Sequence, residues 1–260
     1  MGVREGGSRV EITVVGSGTV VPNLARRQSC VVVEEGGETV VLDLGNGAVR
    51  GMLRAGLDPF GVDRVFFTHF HPDHTVDVVP LLFTIKYGAE EKRAEPLFLY
   101  GPEPFESFFG SIADVWGQWL IDDYLEVSEL PHDCPSPLDL PALRVLWAPA
   151  KHNPESIAYR LESGNGAFVY SGDTEYSESV VGLARGAHTL LVECSFPDDN
   201  PVPGHLTPSG VARIAREAGV GRVVLTHIYQ PTDALDLEQE VGKGFDGEVV
   251  VAKDGTKLTV

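Results

Sequence analysis

Short apolar runs separated by polar turns dominate the N-terminal third of the chain, a pattern that predicts a β-meander. The predicted strands are residues 10–15, 30–33 and 39–44. Gly36 and Gly37 supply the turn between the second and third strands. A Gly-Asn-Gly stretch ends the third strand, and apolar residues then recur at helical spacing over residues 49–57. A further strand over residues 62–67 completes a strand, helix, strand unit.

The strand pattern returns in the C-terminal half. The predicted strands there are residues 144–147, 157–161, 167–170, 189–192, 222–225, 248–252 and 256–260. A helix is predicted to begin at Pro208-Ser209 and to end before Gly219. In both halves a Thr-His pair, Thr68-His69 or Thr226-His227, follows an apolar strand. Two α/β halves that face each other predict a four-layer αββα sandwich with polar side chains meeting at one sheet edge.

The middle of the chain, residues 84–140, is less regular and rich in aromatic residues. A helix of three or four turns is predicted between Phe105 and Tyr124, with several aromatic rings on one face. We interpret this stretch as an inserted segment within a single domain that spans residues 1–260. Core packing, a wall of the substrate pocket and a homodimer surface remain alternatives for its aromatic face.

Composition limits where the protein works. The chain is 43% hydrophobic, but no apolar stretch approaches the length of a membrane span. Residues 1–10 are polar and glycine-rich, so we expect no signal peptide. Cys30, Cys134 and Cys194 are few and widely spaced, which predicts neither a disulfide framework nor a cysteine metal site. We therefore expect a cytoplasmic protein without a membrane partner.

Charge limits the partners. There are 38 acidic against 20 basic residues, a formal net charge of −18 at pH 7. Such a chain repels polyanions, which makes nucleic acid an unfavourable substrate. The alternative explanation of the acidic composition is that it only keeps the protein soluble.

The segment 67–74 carries the strongest chemical signal. It places three histidines and one aspartate within six residues, directly after the predicted strand 62–67. Alternation in an extended segment sends His69 and His71 to one side. Beyond Pro72 the chain leaves regular structure, so Asp73 and His74 are free to face a second point nearby. The sequence therefore predicts a metal site, with room for two ions.

Further ligand-type residues follow other predicted strands. His152, Asp173 and His227 each lie just beyond a strand end, which brings the set to five histidines and two aspartates. Imidazole and carboxylate ligands suit Zn²⁺ and also Mn²⁺ or Fe²⁺. His132 and His188 lie outside this set, and we expect them to be structural or solvent-facing.

The pattern His-x-His-x-Asp-His at residues 69–74 resembles the signature of the metallo-β-lactamase superfamily. The resemblance implies that His69, His71 and His152 hold one metal ion, that Asp73, His74 and His227 hold a second, and that Asp173 bridges them. A bridging carboxylate offsets the repulsion between two nearby cations. We expect two such cations, Zn²⁺ with Mn²⁺ or Fe²⁺ as alternatives, to lower the pKa of a bound water from about 15.7 toward about 7.

Other motifs resemble ribonuclease Z and its relatives within that superfamily. They are Gly16-Ser17-Gly18-Thr19 with Pro22, Leu42-Asp43-Leu44-Gly45-Asn46-Gly47, Gly172-Asp173-Thr174, Glu193-Cys194-Ser195-Phe196, Gly204-His205-Leu206-Thr207 and Leu225-Thr226-His227. They occur in the order found in that family and span nearly the whole chain. The resemblance places His205 beside the metals, where it would pair with Glu193 and protonate the leaving group.

Two departures from ribonuclease Z argue against tRNA as a substrate. Only 20 residues lie between His152 and Asp173, where the tRNA enzymes usually carry a long arm that grips tRNA. The sequence after His227 also lacks the serine and Arg-Tyr pair typical of those enzymes.

The sequence therefore predicts a metal-dependent hydrolase of the ribonuclease Z-like branch that cleaves a small phosphodiester at a dinuclear site. Asp73 would orient or deprotonate the attacking water, with His205 as general acid. Hydrolysis of a non-phosphate ester, lactone, sulfate ester or amide is the alternative within enzymes, because fold alone does not fix function. A metal-binding or redox module without hydrolytic turnover is the alternative from another class.

Overall fold

The computed structural model describes residues 10–260, and within them the strands form two seven-stranded sheets. The expectation of no signal peptide concerns residues 1–10, and all of these except Val10 lie outside the described residues. No helix in residues 10–260 combines the length and the apolar character needed to span a bilayer.

The first sheet is mixed. Its strands are β1 (Glu11–Gly16), β2 (Cys30–Glu35), β3 (Glu38–Leu42), β4 (Arg64–Phe66), β5 (Leu97–Pro102), β6 (Leu125–Leu130) and β14 (Thr256–Thr259). Their spatial order is β14-β1-β2-β3-β4-β5-β6. The predicted meander is confirmed, since β1, β2 and β3 pair antiparallel, while β3 to β6 pair parallel. The carboxyl ends of β3 and β4 therefore lie at the same edge.

The second sheet is built in the same way. Its strands are β7 (Leu138–Asp139), β8 (Arg144–Pro149), β9 (Ile157–Ser163), β10 (Gly166–Tyr170), β11 (Thr189–Glu193), β12 (Arg222–Thr226) and β13 (Glu248–Val251). Their order is β13-β12-β11-β10-β9-β8-β7. Strands β10 to β13 pair parallel, whereas β7 to β10 pair antiparallel. The carboxyl ends of β10, β11 and β12 thus share one edge.

Helices cover the outer face of each sheet. They are α1 (Ala48–Arg54), α2 (Pro72–Thr75), α3 (Val78–Gly88), α4 (Phe105–Leu120), α5 (Glu178–Ala184), α6 (Pro208–Ala218), α7 (Gln230–Asp233) and α8 (Leu237–Gly242). A single 3₁₀ turn, Pro59–Gly61, precedes β4. The predicted limits of α6 are confirmed, because Thr207 caps its first turn and Gly219 ends it in the left-handed conformation.

Side-chain alternation along the strands produces three apolar layers. Val31 and Val33 of β2 point into the core between the sheets, while Val32 points outward to the helices α1, α3 and α4. In β11, Leu191 faces the core between the sheets, and its neighbours face α5, α6 and α8. Helix, sheet, sheet and helix therefore form four layers, which confirms the predicted αββα sandwich.

The aromatic segment 84–140 is more regular than its sequence pattern indicated. The predicted helix is α4, which ends at Leu120, and the strands β5 and β6 on either side of it extend the first sheet. Phe105 and Phe109 are buried against that sheet. Trp116 and Trp119, farther along the same helix, are partly exposed. The aromatic residues of α4 therefore divide between core packing and an exposed surface.

Candidate metal centre

The seven residues that the sequence singled out as ligands meet at one edge of the sandwich. One group consists of His69, His71, His152 and Asp173, and its candidate ligand atoms lie within 4.8 Å of one another. A second group, Asp73, His74 and His227, meets the same limit. The two groups adjoin, because Asp173 Oδ1 lies 3.3 Å from His74 Nε2.

Parallel pairing explains this convergence. His69 follows β4 in the first sheet, whereas Asp173 and His227 follow β10 and β12 in the second. The ends of these parallel strands face the same edge, as ligand-binding sites do in many α/β proteins. His152 comes from the loop after β8, an antiparallel strand of the second sheet.

The 69–74 segment divides its ligands between an extended part and a helical turn. His71 keeps an extended backbone, with φ −60° and ψ 144°, and Pro72 then begins the one-turn helix α2. Asp73 and His74 lie in that turn and are buried. His74 still lies against His69, with ring centroids 4.2 Å apart, whereas Oδ2 of Asp73 lies 3.6 Å from Nε2 of His227.

Hydrogen bonds across the sandwich fix the segment before His69 to the second sheet. The backbone N–H of Ile157 donates to the carbonyl of Thr68 at 3.0 Å, and the hydroxyl of Tyr159 donates to the carbonyl of Phe67 at 2.7 Å. Gly172, with φ 55°, passes so close to Thr68 that a Cβ atom there would lie 2.7 Å from the threonine side chain. Only glycine permits this approach of the two halves.

Hydrogen bonds at the outer nitrogens orient several of the imidazoles. Nδ1 of His152 lies 2.8 Å from the carbonyl oxygen of Gly204, and Nδ1 of His74 lies 2.8 Å from Oδ2 of Asp43. Nδ1 of His227 lies 3.0 Å from the Ser195 hydroxyl. Such contacts hold the rings with Nε2 directed inward, as supporting groups do around metal ligands.

The inner atoms of this cluster fit a divalent cation. Nε2 of His69, Nε2 of His227 and Oδ1 of Asp173 are buried, and none of them has a hydrogen-bond partner among residues 10–260. A buried polar atom without a partner costs roughly 1–3 kcal/mol. Cations bound at the candidate ligand groups would account for all three atoms, since imidazole and carboxylate are suitable ligands.

The protonation states of His69, His71 and Asp173 suit metal binding. Burial, with smaller effects of neighbouring histidines, holds the pKa of His69 well below its usual value, and burial lowers the pKa of His71 as well. Both rings are thus neutral at pH 7, the form that binds metals. Burial alone would raise the pKa of Asp173, but the charges of His227 and His74 hold it well below its usual range. The carboxylate is therefore ionised.

His205 and Glu193, the predicted acid and its partner, lie beside this cluster. Nδ1 of His205 is 3.1 Å from both carboxylate oxygens of the fully buried Glu193. His205 is also 3.9 Å from Oδ2 of Asp173. Burial would lower the pKa of His205, but hydrogen bonding to Glu193 and the charges of Glu193 and Asp173 outweigh it and raise that pKa. The imidazole therefore tends to carry a proton.

Two aromatic residues near His205 were missed by sequence reasoning. The rings of Phe196 and Tyr229 stack at 4.6 Å, and each contacts the ring of His205. Burial and nearby carboxylates raise the pKa of Tyr229 to about 12, so its phenol is neutral at pH 7. Phe196 directly follows Ser195, and Tyr229 lies two residues after His227. In the sequence, nearness to these two residues was the signal that could have pointed to them.

The remaining histidines lie apart from the cluster. His188 is exposed, and its Nδ1 is 3.0 Å from the Thr189 hydroxyl. His132 is partly buried in the loop between β6 and β7. Neither belongs to a group of candidate ligands in residues 10–260.

Comparison with known proteins gives consistent results. The model of the Beta-lactamase superfamily domain matches residues 38–228. The chain is 33% identical over 245 residues to the uncharacterized protein Rv1339 of Mycobacterium tuberculosis, covering 92% of this chain and 88% of that protein. It is 27% identical over 281 residues to ribonuclease Z of Methanothermobacter thermautotrophicus, with 87% and 90% covered.

Among solved structures, the metallo-β-lactamase fold protein YhfI of Bacillus subtilis superposes with a TM-score of 0.84. Its sequence is 25% identical, and the match covers 97% of this chain and 100% of that one. The similarity therefore extends over both sheets and over the edge at which the candidate ligands meet.

Proposed function

The chain belongs to the β-lactamase superfamily as a ribonuclease Z-like, metal-dependent hydrolase, and on that basis we propose that it hydrolyses a small phosphodiester at a dinuclear centre. The observation that carries this proposal is the pair formed by His205 and Glu193 beside the ligand cluster. A protonated imidazole at that place serves a reaction whose leaving group is an alkoxide.

The two ligand groups define which residues would hold each ion. One cation would be held by His69, His71 and His152, and a second by Asp73, His74 and His227. Asp173 supports a bridging role, because its oxygens lie 3.3 Å from His74, 3.5 Å from His227 and 4.0 Å from His152. When bound, such a pair supplies a water of lowered pKa and positive charge beside the phosphoryl group. The ligand types favour Zn²⁺, with Mn²⁺ and Fe²⁺ as alternatives.

Asp73 is suited to orient the attacking water and to accept its proton. Burial alone would raise the pKa of Asp73, but its contact with His227 and the charges of His74 and His227 lower it. One of its oxygens, Oδ2, lies 3.6 Å from Nε2 of His227. The carboxylate is thus ionised at pH 7 and is held between two imidazoles of the second group.

His205 would donate the proton that the departing alkoxide needs. Both carboxylate oxygens of Glu193 contact Nδ1 of His205. Nε2 of that ring is therefore left for the leaving group. Glu193 is itself held by the backbone N–H of Thr174 at 2.6 Å and by the Ser195 hydroxyl. The carboxylate therefore fixes both the position and the charge of the imidazole.

A small substrate is favoured over tRNA. The interval between His152 and Asp173 is occupied by the antiparallel pair β9 and β10, joined by a short turn at residues 164–165. The net charge of −18 also disfavours a polyanionic substrate. We place the activity in the cytoplasm, because all three cysteines are free thiols, as expected in a reducing compartment.

A substrate panel tests this proposal directly. It contains a bis-aryl phosphate, an aryl sulfate, a lactone and a cephalosporin, assayed with the metal-loaded protein. We expect turnover of the phosphodiester to exceed that of the other three compounds. Faster turnover of the lactone, sulfate ester or cephalosporin would replace the phosphodiester with that substrate class.

A further inference from the structure

A cavity lined by arginines lies next to the metal centre, at the junction of α1 and the loop before β2. It has a volume of about 270 Å³. The residues that give it its character are Arg27, Gln28, Asn46, Arg50 and Arg54. With Arg26, which is paired with Asp233, four arginines line this cavity in a chain of net charge −18, a local reversal of sign.

Arg27 forms a fixed wall of the cavity. Its guanidinium donates to the carbonyl of Val15 at 3.0 Å and lies 3.1 Å from Oδ2 of Asp254. Its stem runs along the glycine face of α1, where a Cβ at Gly47 or Gly51 would lie 3.3–3.4 Å from Arg27 Cδ. The absence of side chains at these two positions lets the arginine pack flat against the helix.

Arg50 and Arg54 supply the free charge. They lie one helical turn apart on α1, and both are exposed. Neither forms an ion pair with a carboxylate in residues 10–260, although most other arginines there do. Cations held close together repel one another. A bound anion would remove that repulsion and accept charge-assisted hydrogen bonds from the guanidinium groups.

Two of the lining residues, Gln28 and Thr19, lead toward the metal centre. Gln28 accepts a hydrogen bond from the N–H of Asn46 at 2.9 Å, and the hydroxyl of the next residue, Ser29, lies 3.5 Å from Nε2 of His74. On the opposite side, Thr19 lines the cavity and is within hydrogen-bonding reach of Tyr229. The cavity therefore adjoins the metal centre through Ser29 and Tyr229.

We infer that this cavity binds a second anionic group, a phosphate or carboxylate, of the same substrate that is cleaved at the metal centre. The inference rests on the proposed function, and it narrows the substrate to a phosphodiester that carries a further anionic group. Arg50 and Arg54 are then residues that determine specificity, with no part in the bond-breaking step.

A matched pair of substrates tests this inference. One is the p-nitrophenyl ester of thymidine 5′-phosphate, and the other is the same ester with an added 3′-phosphate. The proteins are the metal-loaded wild type, the double variant Arg50→Ala/Arg54→Ala, and the control Arg185→Ala/Lys257→Ala. The control removes two exposed positive charges that are distant in sequence from the cavity residues. Its net charge therefore changes by the same amount as that of the double variant.

We expect the added phosphate to lower KM about tenfold in the wild type and the control, the effect of one charge-assisted contact. In Arg50→Ala/Arg54→Ala this preference should disappear, while kcat/KM for the substrate without the added phosphate and the bound metal content stay unchanged. A preference that survives in the double variant, or an equal loss on both substrates, would overturn the inference.

A second measurement keeps failure of the inference distinct from failure of the proposed function. Sulfate is titrated against all three proteins, and thermal unfolding is recorded. Sulfate should raise Tm in the wild type and the control but not in the double variant, even if no phosphodiester is hydrolysed. An equal rise in all three proteins would refute the anion site. A further outcome is that the double variant loses the sulfate effect and still shows the KM preference for the added phosphate. That result would mean that the cavity binds a free anion, and it would refute a role in substrate binding.

Discussion

Oδ2 of Asp43 lies 2.8 Å from Nδ1 of His74, at the centre of a buried network that joins both sheets to the candidate metal centre. The same carboxylate accepts hydrogen bonds from the backbone N–H of Thr68 and from the Tyr170 hydroxyl. Asp43 has a positive φ of 61°, which is uncommon for a residue with a side chain. The contact with Nδ1 leaves Nε2 of His74 available as a ligand.

Asp43→Asn should weaken metal binding without removing any candidate ligand. An amide offers one acceptor oxygen and a donor group, so it cannot accept from His74, Thr68 and Tyr170 together. Loss of such a supporting contact typically costs about 10–100-fold in metal affinity. Zinc affinity measured by competition with a chromophoric chelator tests this. Tyr170→Phe is the control, because it removes one donor and keeps the carboxylate; equal affinities for wild type and Asp43→Asn would contradict the expectation.

Protein purified without chelator should contain close to two transition-metal ions per chain. The reason is the presence of two adjoining ligand groups, with Oδ1 of Asp173 in the first lying 3.3 Å from Nε2 of His74 in the second. His69→Ala should lower the metal content and the activity, whereas His188→Ala, at an exposed histidine outside the cluster, should change neither. Elemental analysis and activity are measured on both variants. Full metal content and full activity in His69→Ala would remove that residue from the site.

His205→Ala should slow poor leaving groups far more than good ones. An alkoxide needs a proton in order to depart, whereas a nitrophenolate does not. General acid catalysis typically contributes about 10²–10⁴-fold, so a loss of that size is expected on an alkyl ester, with both metals retained. Rates are compared for alkyl and nitrophenyl phosphodiesters.

Glu193→Gln should show the same bias toward good leaving groups, but more weakly, because the imidazole remains and only its charged partner is lost. An equal loss across leaving groups would assign His205 to phosphate binding. No loss at all would reduce His205 to a residue that makes local contacts before α6.

Precursor tRNA should be processed weakly or not at all, although a relative is named ribonuclease Z. The space between His152 and Asp173 holds only the β9 and β10 pair, and the chain is strongly acidic. Gel-shift titration at physiological salt should show no tight complex. Submicromolar binding together with clean cleavage at the 3′ end would show that neither the missing arm nor the charge prevents tRNA recognition.

Of the three cysteines, Cys134 should be the one that reacts with a thiol reagent in the folded protein. Cys30 and Cys194 are fully buried, and burial, reinforced by nearby carboxylates, raises the pKa of both thiols well above the usual range. The thiolate is the reactive form, so both should stay unreactive even at mildly alkaline pH. Ellman's reagent should titrate one thiol in native protein and three in guanidinium. Rapid reaction of two or three native thiols would contradict this burial.

Much of the fold was predictable because it depends on local patterns. Alternating valines in β2 and the start and stop residues of α6 act over a few positions, and the structure agrees with both. The strands β5 and β6 were not predicted, because their aromatic and charged residues hide the alternation. Their pairing depends on the neighbouring strand β4, which no local pattern reveals.

The sequence predicted which residues form the candidate site, but not the contacts that orient their side chains. The ligand-type residues stand at strand ends, and parallel pairing brings such ends together. The contacts that orient them are long-range, such as Asp43 with Tyr170 or His152 with Gly204. Tyr229 and the arginines near Gly47 gave no signal, because an isolated tyrosine or arginine in a sequence is most often an ordinary surface residue.

Because β14 pairs with β1, the first sheet is completed only after β14 has been synthesised. Strand β1 begins at residue 11, but its outer partner ends at residue 259, after the whole second sheet. During translation the edge of β1 thus stays open until residues 256–259 have left the ribosome, and an open edge invites pairing with other chains. The last candidate ligand, His227, also emerges late. A complete metal centre therefore forms only after both sheets have been synthesised, because its candidate ligands come from both.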